Sequence, residues 1–349
     1  MISVTLGKMV SLCYNISIMK NYIVFDLEWN QSANGKEKSI PHFPFEIIEI
    51  GAVKLNEAFQ MTDEFHRLIR PQVYTQMHHA ISEVTHMNMK ELQKDGNLFP
   101  DAAAEFLSWC GEDAVFCTWG NMDLLELQRN MDFYHMENPF PKPLFYYDVQ
   151  KLYGLFCRDN ARISLDSAVE EQQLMEARPF HRALDDAYYT GKLLTMLGNT
   201  PGPETILPFL SVDYYRLPSN RKEEIRITFP GYSKYVSRVF DTKEEAMASK
   251  NVTEMMCYRC GRMLRKKVRW FTPNQKTYFA LALCPEHGFL KGKIRMKKVE
   301  DESVFVVKTL KLTDEEGAQA ILQRKEDVRK KRAERNRAKR KQKRTKKLP

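Results

Sequence analysis

The segment that decides the fold reads Tyr22-Ile23-Val24-Phe25-Asp26-Leu27-Glu28-Trp29. Its apolar, β-branched start is typical of a buried β-strand. Because side chains alternate along a strand, Asp26 and Glu28 lie on the same face. Two carboxylates on one buried face repel each other, and a divalent cation between them would offset this cost. The pair alone is a weak motif, since a strand that ends in solvent also tolerates acids.

The predicted elements around this strand indicate an α/β domain with a mixed β-sheet covered by helices. Two strands, at 45–55 and 65–70, follow the first, and an antiparallel meander of three strands is expected. Beyond them, predicted helices alternate with strands. The helices are expected at 82–92, 100–110, 122–134, 164–174 and 180–197, and the strands at 114–120 and 144–149.

Further acids follow these strands or lie in the last helix. Asp123 comes just after the fourth strand, and Asp186 lies in the last helix, five residues after His181. If the strand ends gather at one edge of the sheet, both acids meet Asp26 and Glu28 there. Four carboxylates suit Mg²⁺ or Mn²⁺, and two such ions would clamp the attacking and leaving oxygens of a phosphodiester. An imidazole suits the role of a general base near neutral pH, and His181 is the candidate for that role.

This set of residues resembles the DEDDh group of 3′-to-5′ exonucleases. The motifs that carry the resemblance are Asp26-x-Glu28, Asp123 and His181-x-Ala183-x-x-Asp186-Ala187. The segments 46–53, 119–123 and 145–149 resemble the KapD/Eri-like branch of that group. The resemblance covers about residues 20–198 and implies a ribonuclease H-like fold.

The resemblance also implies a role for each acid. Asp26 would bridge two Mg²⁺ or Mn²⁺ ions, and Glu28 and Asp186 would bind the ion on the nucleophile side. Asp123 would act on the other ion, through water. His181 would deprotonate the water that attacks the last phosphodiester, so that nucleoside 5′-monophosphates are released.

Trp29 departs from the pattern of the group, in which a small or hydroxyl residue often follows the glutamate. The indole is expected either to stack on the terminal base of the substrate or to pack at the rim of the core. Trp29 is therefore a candidate substrate-binding residue, and both interpretations stay open on the sequence.

A second motif lies in the C-terminal third, where Cys257-Tyr-Arg-Cys260-Gly and Cys284-Pro-Glu-His287-Gly have the same shape. The spacing C-x₂-C-x₂₃-C-x₂-H fits tetrahedral Zn²⁺ held by three thiolates and one imidazole. It resembles a zinc ribbon, and its closed ligand set predicts one structural Zn²⁺. A redox pair formed by Cys257 and Cys260 is the lesser alternative.

Basic residues surround this motif. Arg269 and Trp270 lie in the run 265–271, and a second basic run covers 291–298. Basic residues interleaved with aromatic ones suit contacts with phosphates and bases, and Arg269 and Trp270 are candidate substrate-binding residues. A solvated basic face is the alternative. From Arg324 onward the chain has 15 Lys/Arg and 3 Asp/Glu, whereas the rest has 39 and 42. This tail is expected to contact polyanions, such as structured RNA or a ribonucleoprotein.

Five segments are therefore expected along the chain. They are an N-terminal extension (1–19), the exonuclease domain (20–200), a linker with a small α/β segment (201–252), a β-rich zinc-ribbon-like module (253–312) and a basic helical or disordered tail (313–349). Translation from Met19 rather than Met1 is a hypothesis for the first segment. No apolar run is long enough for a bilayer, no secretory signal is recognisable, and the seven cysteines form no disulfide pattern, so we expect a cytoplasmic protein.

The sequence thus predicts a metal-dependent 3′-to-5′ exonuclease that acts on single-stranded nucleic acid, with RNA favoured. A DNA exonuclease used in repair is a second interpretation. The third is a non-catalytic nucleic-acid-binding or regulatory protein, although such a protein usually lacks one of the acids and none is missing here.

Overall fold

The computed structural model describes residues 21–345 except 36–37, 160, 201, 230 and 300–301, and leaves out the side chains of residues 203 and 338–345. The expected N-terminal extension lies outside the described residues. The chain divides after Arg216 into two compact units. None of the described helices combines the length and apolar character needed to cross a membrane.

The first unit is built on a six-stranded mixed sheet with the order β3-β2-β1-β4-β5-β6. The strands are β1 (Asn21–Gln31), β2 (Phe45–Leu55), β3 (Met61–Leu68), β4 (Ala114–Thr118), β5 (Phe145–Asp148) and β6 (Ser211–Val212). The first three strands form an antiparallel meander, and β4 and β5 continue parallel to β1. This is the ribonuclease H-like arrangement, so the prediction of the fold class is confirmed.

Helices cover both faces of this sheet. They are α1 (His79–Thr85), α2 (Met89–Asp95), α3 (Phe99–Cys110), α4 (Met122–Phe133), α5 (Val149–Cys157), α6 (Leu165–Glu171), α7 (Ala183–Asn199) and α8 (Pro203–Ile206). Alternate residues of β1 enter two different cores. Phe25 and Leu27 pack on the side of α3 and α4, whereas Tyr22 and Val24 pack on the side of α5 and α7.

Two predicted helices differ from the structure, and one helix of the structure was not predicted. The helix expected at 82–92 is two short helices, because His86 takes a left-handed conformation and ends α1 before Asn88 caps α2. The last helix begins at Ala183 rather than Phe180, after His181 with φ of 66°. Helix α5 was not predicted, although the Asp148 side chain caps it by accepting a hydrogen bond from the Lys151 N–H.

The second unit is a six-stranded antiparallel sheet with the order β7-β8-β12-β11-β10-β9. Its strands are β7 (Ile225–Phe229), β8 (Tyr232–Val236), β9 (Lys266–Phe271), β10 (Thr277–Cys284), β11 (Gly288–Lys298) and β12 (Val304–Thr313). Its helices are α9 (Lys243–Ala248), α10 (Lys250–Thr253) and α11 (Glu315–Thr345). The β-rich character of the zinc-ribbon-like module agrees with the prediction.

The boundaries expected for the segment 201–252 differ from the structure. Its Ser211–Val212 pairs with β5 in the first sheet, whereas β8 pairs with β12 in the second. The expected segment of linker and small α/β elements is thus divided between the two units, and the boundary falls within it, at 216/217. Sequence composition carries no information on strand pairing between distant residues.

Candidate functional site

Three of the predicted acids meet at the end of β1. Asp26 and Glu28 lie on the same face of the strand, and Asp186 lies in the first turn of α7. One carboxylate oxygen from each of the three lies within 4.8 Å of those of the other two. The structure therefore brings together residues that are up to 160 positions apart in the chain.

Gly51 sets the position of α7. It pairs with Asp26 across the β1–β2 ladder. A Cβ atom on Gly51 would lie 2.0 Å from the Leu184 nitrogen and 2.1 Å from the Ala183 carbonyl carbon, so only glycine allows this approach. The first turn of α7, which carries Asp186, is thereby held beside Asp26. Sequence reasoning gave Gly51 no role, although a glycine inside a strand often marks a close backbone approach.

Glu49 anchors the start of α7 through hydrogen bonds. Its carboxylate is fully buried and accepts hydrogen bonds from the Arg182 guanidinium at 2.8 Å and from the Ala183 N–H at 3.0 Å. It also shares a 2.6 Å hydrogen bond with Nε2 of His66. Burial alone would raise the pKa of Glu49, but the hydrogen bonds from His66 and Arg182 hold it below its ordinary value. Glu49 is thus a salt-bridged strand residue that also positions the start of α7.

Asp123 reaches the site from the other parallel strand. It lies in the first turn of α4, after a turn in which Gly120 has φ of 110°, and its side chain is 5% exposed. Its carboxylate accepts a hydrogen bond from the Leu27 N–H, between the two acids of β1. It stands outside the three-residue cluster defined by the 4.8 Å distances. The negative charge of Asp123 nevertheless raises the pKa of Asp26.

The carboxyl groups of the site hold protons more tightly than isolated ones. Burial raises the pKa of Asp26 well above its ordinary value, and the charges of Asp123 and Asp186 raise it further. Burial also raises the pKa of Glu28 to about 8 and those of Asp123 and Asp186 to about 7. At neutral pH the four groups cannot all ionise without positive charge beside them. An all-oxygen donor set of this charge fits Mg²⁺ or Mn²⁺.

His181 lies two residues before the start of α7 and is exposed. Its backbone N–H donates to both carboxylate oxygens of Asp186 at 3.3 Å, so the main chain of this residue holds one of the acids in place. The positive φ of 66° turns the chain into the helix. The contact with Asp186 is thus made by the backbone of His181, and the residue as a whole is exposed to water.

Trp29 does not join the acids. It lies on the opposite face of β1, where it packs against the core that contains Phe25 and Leu27. Its ring centroid is 5.6 Å from that of Phe45. Of the two interpretations given by the sequence, the structure agrees with packing at the rim of the core rather than with base stacking beside the carboxylates.

The Cys/His motif forms one compact cluster in the second unit. The Cys260 and Cys284 sulfurs are 3.7 Å apart, and Nδ1 of His287 lies 3.6 Å from the Cys284 sulfur and 3.7 Å from that of Cys257. A tetrahedral ion with Zn–S of about 2.3 Å and Zn–N of about 2.0–2.1 Å gives edges of about 3.8 and 3.6 Å. The four residues therefore fit Zn²⁺ in both donor type and spacing. Gly261 and Gly288, with φ of 70° and 83°, close the two turns.

The two substrate-binding candidates of the second unit differ from each other. Trp270 donates a hydrogen bond from Nε1 to the Thr253 carbonyl at 2.8 Å, and its ring lies against Gly292, where a Cβ would come within 2.6 Å of it. Trp270 is thus a packing residue, contrary to the expectation that it stacks on a base. Arg269 is exposed on β9 and remains a candidate.

Comparison with known proteins defines the family. Residues 23–194 match the family model described as "RNase_T: Exonuclease". Over 176 residues the chain is 28% identical to the probable 3′-5′ exonuclease KapD of Bacillus subtilis (strain 168). The aligned residues make up 50% of this chain and 83% of KapD. Residues 23–194 are a 3′-5′ exonuclease domain of the DEDDh family, which confirms the resemblance found in the sequence.

Two solved structures are similar to part of this chain. The nuclease domain of 3′hExo, a DEDDh family member bound to rAMP, is 22% identical, with a TM-score of 0.45 and coverage of 57% of this chain and 98% of that chain. The Mg²⁺- and Mn²⁺-bound form of S. pombe Pop2p is 15% identical, with a TM-score of 0.40. The match covers 51% of this chain and 82% of the Pop2p chain.

Proposed function

We propose that this protein removes nucleotides from the 3′ end of single-stranded RNA by metal-dependent hydrolysis and releases nucleoside 5′-monophosphates. The observation that carries the proposal is the cluster of Asp26, Glu28 and Asp186 with oxygens within 4.8 Å, joined by Asp123 across β1. RNA is favoured over DNA because the segments 46–53 and 119–123 resemble Eri-like exonucleases.

The proposed cofactors are two Mg²⁺ or Mn²⁺ ions. Asp26 would hold both ions, Glu28 and Asp186 one of them, and Asp123 the other. When bound, such ions polarise the phosphodiester and make water a stronger nucleophile at neutral pH. They would also neutralise the repulsion that raises the pKa values of the four carboxyl groups.

The chain itself supplies the base and its positioning. The exposed imidazole of His181 would take the proton of the attacking water, because a neutral imidazole accepts protons near physiological pH. Its backbone N–H fixes the orientation of Asp186. Arg182 and Glu49, which join the start of α7 to β2, keep His181 and Asp186 at a constant distance from Asp26.

The second unit is proposed to hold one structural Zn²⁺ at Cys257, Cys260, Cys284 and His287. Its basic tail would contact structured RNA or a ribonucleoprotein through phosphates. The cysteine usage is the basis for the proposed cytoplasmic location, since free thiols persist in a reducing compartment.

Digestion of end-labelled oligonucleotides tests this function. RNA and DNA of the same sequence, labelled at the 5′ or the 3′ end, are incubated with Mg²⁺ or Mn²⁺. The 5′ label is expected in a ladder of shortened RNA and the 3′ label in mononucleotide from the first turnover. Asp26→Asn is expected to lower kcat about 10³-fold or more and His181→Ala about 10²- to 10⁴-fold.

Asp113→Asn, at an exposed carboxylate of the same unit, is the matched control and is expected to keep full activity. Equal rates for the wild type and the Asp26→Asn protein would overturn the assignment of the site. Faster cleavage of DNA would support the repair alternative. Binding of RNA without hydrolysis under every metal condition would support the non-catalytic one.

A further inference from the structure

Strand β11 separates its basic residues from its apolar ones. The even-numbered positions 290–296 (Leu290, Gly292, Ile294 and Met296) are buried, whereas the odd-numbered positions 291–297 are all Lys or Arg. Arg295 is exposed, and Lys291 and Lys293 are half-buried. Alternation therefore places the charges of one strand in a single file on one face of the sheet.

The neighbouring elements add charge of the same sign to this face. Lys311 of β12 lies directly opposite Lys291 in the antiparallel register and is exposed. Arg324 of α11 lies over the ring of Phe279 at 4.5 Å, and Phe279 is the cross-strand partner of Lys293. We name Lys291, Lys293, Arg295, Lys311 and Arg324 the basic row.

Apolar contacts hold the first turns of helix α11 against the sheet. Its Ala318 and Ile321 pack with Val268 and Leu281, on the face of β9 and β10 that continues the basic row. Arg324 lies just beyond this contact, less than one turn of the helix after Ile321. The helix thus places the Arg324 guanidinium at the edge of the basic row.

Without a bound anion, the basic row destabilises the folded protein. Like charges directly opposite each other in a sheet are destabilising. Burial lowers the pKa of Lys293, and the charges of Arg295 and Arg324 lower it further. Among the described residues, no acidic side chain forms an ion pair with any member of the row. Positive charges that have no anionic partner within the protein are suited to bind an anion from outside it.

We propose that the basic row binds the phosphate backbone of single-stranded nucleic acid, independently of its sequence. Lys291, Lys293 and Arg295 stand about 6.6–6.8 Å apart along the strand, as every second residue of a strand does. A single file of cations at this spacing suits consecutive phosphates of an extended strand rather than the two backbones of a duplex. The choice of nucleic acid over another polyanion rests on the proposed nuclease function.

Binding of a 5′-fluorescein-labelled 20-nucleotide oligo(U) to the full chain tests this proposal. Anisotropy is followed over a range of salt concentrations without added Mg²⁺ or Mn²⁺, so the measurement does not depend on hydrolysis. The test protein carries Lys293→Gln, Arg295→Gln and Lys311→Gln. We expect affinity at about 100 mM salt to fall about 10- to 100-fold, and the slope of log K against log salt to become less negative by about 2, since each phosphate contact in a single strand contributes about 0.7.

The matched control carries Lys222→Gln, Lys250→Gln and Lys276→Gln, three exposed lysines of the same unit outside the row. It has the same net charge as the test protein and is expected to keep the wild-type slope within about 0.5. An equal loss in both proteins, or no loss in either, would overturn the proposal. Competition by poly-glutamate as strong as by unlabelled oligo(U) of equal charge would also overturn it and indicate an acidic protein partner.

Two measurements separate loss of binding from loss of structure. Melting temperature and zinc content are determined for every variant, and the melting temperature of the test protein is expected to equal or exceed that of the wild type because like charges are removed. The single variant Arg295→Gln, at an exposed position, is expected to change the slope by about 0.7. An unchanged slope in a folded Arg295→Gln protein would count against the row.

Discussion

Asp26 shows, at the scale of one residue, why this site needs positive charge. Its carboxyl group is enclosed by the sheet and by α7, and its pKa is raised by burial and by the carboxylates around it. The folded protein without divalent ions therefore binds a proton at Asp26 at pH values where the unfolded chain has released it. Folding stability falls with increasing pH wherever the folded state binds more protons.

Asp26→Asn is therefore expected to stabilise the protein measured without Mg²⁺ or Mn²⁺. The pKa of Asp26 is higher in the folded protein than in the unfolded chain, where it is about 4. Below that unfolded pKa the carboxyl group is protonated in both states and does not destabilise the fold. Above it, the destabilisation grows as pH rises towards the folded pKa. The substitution should raise the free energy of unfolding by about 1–3 kcal/mol at pH 8 and by less at pH 5, as measured by urea denaturation.

Asp113→Asn serves as the control and should show no such pH dependence, because its carboxylate is exposed. Addition of Mn²⁺ at pH 8 should stabilise the wild type more than the Asp26→Asn protein. A gain in stability that is the same at pH 5 and pH 8 would show that Asp26 is not the strained carboxyl group of the cluster.

The element that assembles the site is α7. Its first turn carries Asp186, its preceding residues are His181 and Arg182, and it is fixed to β2 by Gly51 and by hydrogen bonds to Glu49. Burial of Ala183 and Ala187 against the sheet continues this contact. Asp186, His181 and Arg182 thus depend on the placement of one helix end.

Gly51→Ala is expected to displace this helix end. The added methyl group would overlap the backbone of Ala183 and Leu184, which cannot move aside as a flexible side chain does. We expect a loss of about 1–3 kcal/mol in the free energy of unfolding, and a fall in kcat that exceeds any change in KM. Chemical denaturation and steady-state kinetics on RNA measure the two effects.

Asp113→Ala is the control, because Asp113 is exposed in the same unit and lies away from the contact of α7 with β2. It should change the free energy of unfolding by less than about 0.5 kcal/mol. Wild-type kcat in a folded Gly51→Ala protein would contradict the dependence of the site on the close approach of α7 to β2.

The whole molecule consists of two units with separate cores. The first contains the carboxylate cluster, and the second contains the four Cys/His residues of the proposed zinc site, of which Cys257 and Cys284 are buried within its own apolar cluster. Because these ligands join the hairpin turns of the second sheet, a bound metal ion would contribute directly to the folding of that unit.

Cys284→Ser is expected to remove one equivalent of Zn²⁺ from the purified protein. Limited proteolysis should then cut within residues 255–298, while the protection of the first unit stays unchanged because its core contains none of the ligands. Elemental analysis and mass spectrometry of the fragments provide the measurements. Cys157→Ser, at an exposed cysteine of the first unit, should retain the zinc. Full zinc content in the Cys284→Ser protein would exclude the proposed ligand set.

Local patterns in the sequence were sufficient for the fold class and for much of the site. The alternation in Tyr22–Glu28 placed Asp26 and Glu28 on one face, and the order of strands and helices predicted the mixed sheet. The paired turns of the Cys/His motif predicted a cluster that the structure shows at tetrahedral spacing. These features follow from alternation, from the order of elements and from short motifs, all of which a sequence displays directly.

Only the tertiary structure decided the surroundings of these residues. Gly51 and Glu49 support α7 through contacts with residues more than 130 positions away, and β8 joins β12 by a pairing between Val236 and Val307. Packing likewise assigned Trp270 to the core of the second unit. The physical reason is that burial and close approach are set by which distant segments meet, whereas composition and periodicity report only which face of a segment is apolar.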